Sequence, residues 1–162
     1  MSPDPTLTAP MGPRFVCGLI GQGIGSSLTP DMHEGVADRL GLTYVYRRID
    51  LHELGMSPEE AVALIPAAGP LGFSGLNVTH PCKRLAVAYV DELSDTAARI
   101  GAINTVVFAQ GRAIGHNTDV SGFAWGFDRA MGDVARERVV VIGAGGAGAA
   151  VVHALLSRGA EE

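Results

Sequence analysis

Val139-Val140-Val141-Ile142-Gly143-Ala144-Gly145-Gly146-Ala147-Gly148 is the stretch that decides the fold class. Arg138–Ile142, four of its five residues β-branched, reads as a buried strand, and Ala147–Arg158 as a helix closed by Gly159. Gly143, Gly145 and Gly148 between them satisfy G-x-G-x-x-G. In that arrangement the first glycine makes the tight turn, the second lets backbone approach a pyrophosphate, and the third lets helix pack on strand. The helix start adds free N–H groups and the positive end of its dipole. The pattern points to a dinucleotide cradle made of Gly143, Ala144, Gly145, Gly146, Ala147 and Gly148. An ordinary tight strand–helix turn is the alternative. The residue that would choose NAD or NADP is expected about 20 residues further on, beyond Glu162. One strand and one helix do not make a nucleotide-binding half, so the chain is expected to be part of a longer protein.

Upstream, strands and helices alternate. Phe15–Ile20 reads as a strand, then a helix runs from Thr29-Pro30 to about Leu40, with Thr29 as N-cap and Gly41 as its stop. Tyr44–Ile49 and Phe73–Val78 read as further strands. Ser57-Pro58-Glu59-Glu60 is a capping box ahead of a helix over Ala61–Ala68. Pro81 is expected to open another short helix, and Ser94 to cap one reaching Ile100. Thr105–Ala109 and Ala113–His116 flank Gly111-Arg112 as a hairpin, and a helix follows over Asp119–Met131. This order implies an α/β fold with a mostly parallel mixed sheet flanked by helices, followed by the first strand and helix of a Rossmann domain. The expected divisions are a flexible tail at 1–12, a substrate domain at 13–132 and the start of a nucleotide domain at 133–162.

Composition excludes several classes. The chain has 162 residues, 47% of them hydrophobic and 18% charged, too few charges for general disorder. Twelve Lys+Arg against seventeen Asp+Glu leave a net charge of −5, which disfavours nucleic acid and anionic membranes as partners. No apolar run reaches the roughly 18 residues of a membrane span. Cys17 and Cys82 have no metal spacing, and the five histidines show none either, so no metal is expected. Two unpaired thiols fit a reducing cytoplasm.

Five segments in order carry a resemblance. They are Gly21-Gln22-Gly23-Ile24 with Ser27-Leu28-Thr29-Pro30-Asp31-Met32-His33; Gly75-Leu76-Asn77-Val78-Thr79-His80-Pro81-Cys82-Lys83; Gly101-Ala102-Ile103-Asn104-Thr105-Val106; Gly115-His116-Asn117-Thr118-Asp119-Val120-Ser121-Gly122; and the glycine turn. Together they resemble the shikimate dehydrogenase family over about residues 15–160. The resemblance implies reversible, NADP- or NAD-dependent oxidation of shikimate to 3-dehydroshikimate, by a protein that is a monomer or homodimer. It implies Lys83 and Asp119 as the catalytic pair, and Ser27, Thr29, Asn77, Thr79, Lys83, Asn104 and Asp119 as the substrate site. Ser26-Ser27 in place of His-Ser, Thr29 in place of Ser, and His80-Pro81 look like the quinate/shikimate branch, which also takes quinate. The alternative is a polyol-acid-binding piece without catalysis.

The chemistry suits those residue types. A polyhydroxylated carboxylate is nearly all polar surface, so its site must offer matching donors and acceptors. When hydride leaves the carbinol carbon, the hydroxyl proton needs a base. Lys83, expected in the first turn of the helix after Pro81, is in a place where a cation is disfavoured. Cys82 has no base beside it and is not expected to be a nucleophile.

Overall fold

The computed structural model describes residues 12–132, 134, 138–143 and 145–161. Its elements are β1 (Arg14–Gly21), α1 (Thr29–Arg39), β2 (Thr43–Asp50), α2 (Leu51–Leu54), α3 (Pro58–Val62), α4 (Ile65–Ala68), β3 (Gly75–Val78), a 3₁₀ turn (Leu85–Tyr89), β4 (Glu92–Leu93), α5 (Asp95–Ile100), β5 (Thr105–Ala109), β6 (Arg112–His116), α6 (Asp119–Met131) and α7 (Gly146–Leu156). Six strands form one sheet in the order β2-β1-β3-β5-β6-β4. β1 runs parallel to β2 and β3, and β4 parallel to β6, while β5 is antiparallel to β3 and β6. The mostly parallel mixed sheet expected from the alternation is the one observed.

Strand alternation divides the core between the two faces. Ile20, Leu76, Val78 and Val106 point to one face, where Val62, Ile65, Cys82, Ala86 and Ala97 cover them. Leu19 and Tyr46 point to the other and pack with Ile24. A third cluster, Ile100, Ala102 and Ala150 with Val120 and Ala149, joins α5, α6 and α7.

Local signals explain most boundaries. The Ser57 hydroxyl accepts from Glu60 N while Glu60 accepts from Ser57 N, a complete capping box. Ser94 Oγ accepts from Ala97 N at the start of α5. The helix expected over Ala61–Ala68 is broken into α3 and α4, because Pro66 has no N–H to continue the ladder and clashes with the preceding turn.

Three expectations need correction. Residues 138–142 are not a buried strand: Val140 is 88% and Ile142 97% exposed. No strand among the described residues runs beside them, and without a ladder partner an extended segment leaves its amides to water. Pro81 does not open an α-helix: 80–84 is a turn ahead of the 3₁₀ turn, and the His80–Pro81 peptide is cis. Thr29 is the first helical residue, not the cap; Leu28 takes that place with no side-chain bond. Ser27 Oγ instead accepts from Thr29 N at 3.3 Å. The short strand β4 was not expected from sequence; two residues are too few to show a period. Residues 1–11, 133, 135–137, 144 and 162 lie outside the described residues, and with them most of the expected tail, part of the expected boundary and Ala144 of the expected cradle.

Candidate active site

Parallel strands end together, so the loops that follow them gather at one edge of the sheet. β1, β2 and β3 finish there at Gly21, Asp50 and Val78. β5, running the other way, starts there with Thr105 opposite Asn77, and β6 returns to end there with His116 opposite Thr105. Every candidate substrate residue from Ser27 to Asp119 lies at one of these ends or in the segment that follows one, except Asn104, which stands just before the start of β5.

Lys83 is set by the turn after β3. Cys82 N donates to Thr79 O at 2.8 Å, and Ile103 N donates to Lys83 O at 2.9 Å. Cys82 is fully buried in the core beneath. Burial, followed by the nearby Glu59 charge, pushes its thiol up, the opposite of an activated nucleophile. With the backbone pinned from both sides, the Lys83 side chain reaches Asp119 at the start of α6. Lys83 Nζ donates to Asp119 Oδ2 at 2.6 Å, with side chains 17% and 30% exposed. The other oxygen, Asp119 Oδ1, accepts from Asn104 Nδ2 at 2.8 Å.

Around this pair the structure brings together four of the predicted residues and adds others. Asn104 Oδ1 accepts from Thr118 N at 3.0 Å and from Thr105 Oγ1 at 3.0 Å. Asn77 Nδ2 donates to Thr105 Oγ1 at 3.3 Å. Asn117, 6% exposed, donates to Ala102 O at 3.0 Å and accepts from Asp119 N at 3.1 Å, fixing the first residue of α6. Ser27 and Thr29 form a separate pair, with Ser27 Oγ donating to Thr29 Oγ1 at 3.1 Å. No hydrogen bond among the described residues joins that pair to Asn77, Asn104, Lys83 or Asp119. Thr79 is held by its N–H, which donates to Ile20 O at 2.9 Å. A Cβ on Gly21 would stand 2.3 Å from the Thr79 methyl, so only glycine allows this approach.

Asp50 was not picked out by the sequence reading, yet it shapes the Ser27 loop. It is 3% exposed, and its carboxylate accepts from Gly23 N at 2.9 Å, Ile24 N at 2.7 Å and His52 N at 3.0 Å. Burial raises its pKa, but the three backbone bonds and the His52 charge outweigh that and hold the carboxyl below its usual range. Its sequence signals were its place at the end of β2 and an N-cap residue type directly ahead of Leu51-His52-Glu53, where it caps α2.

The glycine turn lies against the same edge. A cleft of about 480 Å³ is lined by Thr79, Pro81, Lys83, Gly143, Gly145 and Gly148, among others. A Cβ on Gly146 would stand 3.3 Å from both Cβ and Cδ of Lys83. Gly143 has φ +104°, and a Cβ on Gly148 would stand 2.1 Å from Gly143 O, so the turn cannot close with any other residue at 148. Gly145 caps α7 without a side-chain bond, and the space beside it is open. The N-terminus of this eleven-residue helix, whose cap residue Gly145 makes no side-chain bond, suits a dinucleotide phosphate.

Residues 19–106, just over half of the chain, match the family model described as the shikimate dehydrogenase substrate binding domain. The chain belongs to this family. It is 58% identical over 146 residues to the shikimate dehydrogenase (NADP(+)) of Streptomyces avermitilis, covering 90% of this chain and 50% of that protein. It is 44% identical over 153 residues to the quinate/shikimate dehydrogenase (NAD(+)) of Corynebacterium glutamicum (strain R), covering 94% and 54%. Among solved structures, the quinate dehydrogenase from Corynebacterium glutamicum in complex with NAD superposes with a TM-score of 0.82 at 43% identity, covering 91% of this chain and 53% of that one. The Thermus thermophilus shikimate 5-dehydrogenase in complex with NADP(H) and shikimate gives 0.77 at 36% identity, covering 90% and 53%. The chain thus spans about half the length of the relatives it matches. Among its described residues no helix is long and apolar enough to cross a membrane.

Proposed function

We propose that this chain is the substrate-binding half of an NAD(P)-dependent oxidoreductase that interconverts shikimate and 3-dehydroshikimate, with quinate as a second substrate. Residues 13–132 form its substrate domain, and 133–162 begin the nucleotide domain. The observation that carries the reading is the Lys83–Asp119 contact of 2.6 Å beside the glycine turn of α7. Ser27, Thr29, Asn77, Thr79, Asn104, Lys83 and Asp119 would hold the polyol acid, and Gly143, Gly145, Gly146, Ala147 and Gly148 the cofactor. The free thiols of Cys17 and Cys82 suit a reducing cytoplasm.

The residues divide the chemistry between them. When bound, the nicotinamide supplies the hydride acceptor. Lys83 Nζ takes the proton that the ring hydroxyl gives up, and Asp119 stabilises the ammonium so formed. Asn104 occupies the second oxygen of Asp119, so the carboxylate turns one oxygen to Lys83 rather than rotating freely. In the reverse direction Lys83 returns the proton to the developing alkoxide.

Steady-state assays of the full-length gene product with shikimate and quinate, each with NAD and NADP, test this. Turnover of shikimate that disappears in Lys83→Ala is the expected result. No turnover of either acid with either nucleotide would refute the reading. The 162-residue chain alone should bind shikimate weakly and oxidise nothing.

A further inference from the structure

The Lys83–Asp119 pair is the end of a longer hydrogen-bond chain that begins on β2. The Tyr46 hydroxyl donates to Asn77 Oδ1 at 2.6 Å. Asn77 Nδ2 donates to Thr105 Oγ1 at 3.3 Å, and Thr105 Oγ1 donates to Asn104 Oδ1 at 3.0 Å. Asn104 Nδ2 donates to Asp119 Oδ1 at 2.8 Å, and Lys83 Nζ donates to Asp119 Oδ2. The chain crosses the sheet through side chains on one face, since Asn77 and Thr105 are directly opposed in the β3–β5 register.

The direction of this chain follows from chemistry alone. A carboxylate only accepts, so Asn104 must turn its NH₂ group to Asp119. The Thr118 backbone N–H only donates, and it meets Asn104 Oδ1 at 3.0 Å, which fixes the same orientation independently. The single Thr105 proton then goes to Asn104 Oδ1, and its oxygen is left to accept. Asn77 must therefore give Thr105 an N–H, which turns its own oxygen to Tyr46. The second Asn77 N–H has only the Asn104 carbonyl at 3.5 Å, too long for a good bond, and is the donor left for a ligand oxygen.

We propose that Tyr46 and Thr105 are positioning residues. They fix the Asn77 amide so that it offers the substrate a donor, and through Asn104 they steady the carboxylate that holds Lys83. The proposal rests on the reading of Lys83 and Asp119 as the catalytic pair. Tyr46 suits the role because it is 6% exposed, with its ring against His33 at 4.8 Å between centroids, so its hydroxyl has little room to move. Thr105 suits it because one hydroxyl serves both amides, and valine matches its shape without the oxygen.

The test uses the full-length gene product. Thr105→Val is expected to raise KM for shikimate about tenfold and to lower kcat, with KM for the nucleotide unchanged. Thr105→Ser, which keeps the oxygen, should behave like the wild type. Tyr46→Phe should raise KM a few-fold, and the double variant should be no worse than Thr105→Val alone, because both changes release one amide. A Thr105→Ser variant as impaired as Thr105→Val, or additive effects in the double variant, would overturn the proposal. A second readout is independent of turnover: side-chain amide hydrogen exchange of Asn77, followed by NMR. It should speed up in Thr105→Val and Tyr46→Phe but not in Thr105→Ser. Unchanged exchange in both sinks the positioning role. A wild type without turnover but with this exchange pattern sinks the catalytic reading and leaves the chain of bonds standing.

Discussion

Replacing Asn117 with alanine should weaken the fold and loosen the proposed catalytic pair of Lys83 and Asp119 together. The side chain is 6% exposed and makes two bonds, to Ala102 O at 3.0 Å and from Asp119 N at 3.1 Å. Each bond contributes about 1 kcal/mol net. Ala102 is 1% exposed, so a carbonyl left without this donor costs about 1–3 kcal/mol more. The Asp119 N–H, in the first turn of a helix and near solvent, is resatisfied by water and adds little. The sum is about 2–4 kcal/mol. At roughly 2–4 °C per kcal/mol for a chain of this size, the melting temperature should fall by about 5–15 °C. Thermal unfolding by circular dichroism reads this directly. Asn117→Asp serves as the comparison: it keeps the volume and the acceptor for Asp119 N, but turns an oxygen toward the Ala102 carbonyl. It should be destabilised as well. A melting temperature within about 2 °C of the wild type in Asn117→Ala would refute the reasoning, since neither bond could then matter to the fold.

Three further outcomes are expected. Lys83→Ala should lower turnover about 10²–10⁴-fold with little change in substrate affinity, and Lys83→Arg should not rescue it, because a guanidinium does not release its proton; steady-state kinetics with shikimate decide, and full activity in the arginine variant would mean that Lys83 supplies charge alone. Gly148→Ala places a methyl 2.1 Å from a backbone oxygen that cannot withdraw, so the turn should open and KM for the nucleotide should rise roughly tenfold or more with KM for shikimate unchanged. Asp50 has a folded-state pKa below its unfolded one, so the unfolded chain binds the proton first as pH falls. Its contribution is complete above the unfolded value of about 3.9 and is lost as pH drops through the folded one. Acid unfolding of Asp50→Asn should therefore show a shallower dependence on pH in that range, and an unchanged slope would exclude the linkage.

Capping and hairpin chemistry made much of the fold legible. The Ser57 box and the Ser94 cap are local signals, and each lies where the sequence placed it; the hairpin turn falls one residue earlier than Gly111-Arg112, at Gln110-Gly111, because Arg112 pairs with Ala109 in β6. Misreadings came from competition between neighbouring signals. Pro66 sits inside a run that otherwise looks helical and divides it. Val139–Ile142 has strand composition, but strand formation is a pairwise property, and no neighbouring strand among the described residues pairs with it. For the site, Lys83, Asp119, Asn77 and Asn104 stand in turns and strand ends that motif reading finds easily. Tyr46 and Thr105 act through bonds between strands, 31 residues apart in sequence between Tyr46 and Asn77 and 28 between Asn77 and Thr105. Such partners have no local signature.

The place of Lys83 changes the account of its reactivity. Had Pro81 opened an α-helix, the dipole at its N-terminus would oppose the ammonium and so favour proton release. The residues from 80 to 84 form a turn, and the following 3₁₀ segment starts only at Leu85, so Lys83 does not stand in the first turn of a helix of its own. Its ion-pair partner is Asp119, itself steered by Asn104 and anchored at its backbone by Asn117, and the start of α7 packs against the Lys83 side chain at Gly146. In the proposed mechanism, one control on the proton is how firmly that carboxylate is held. A carboxylate free to rotate would stabilise the ammonium in many geometries. One fixed by two amide side chains stabilises it in the geometry where Lys83 reaches the cleft beside the glycine turn. Substitutions that free Asp119 without removing its charge should then cost turnover while leaving the ion pair in place.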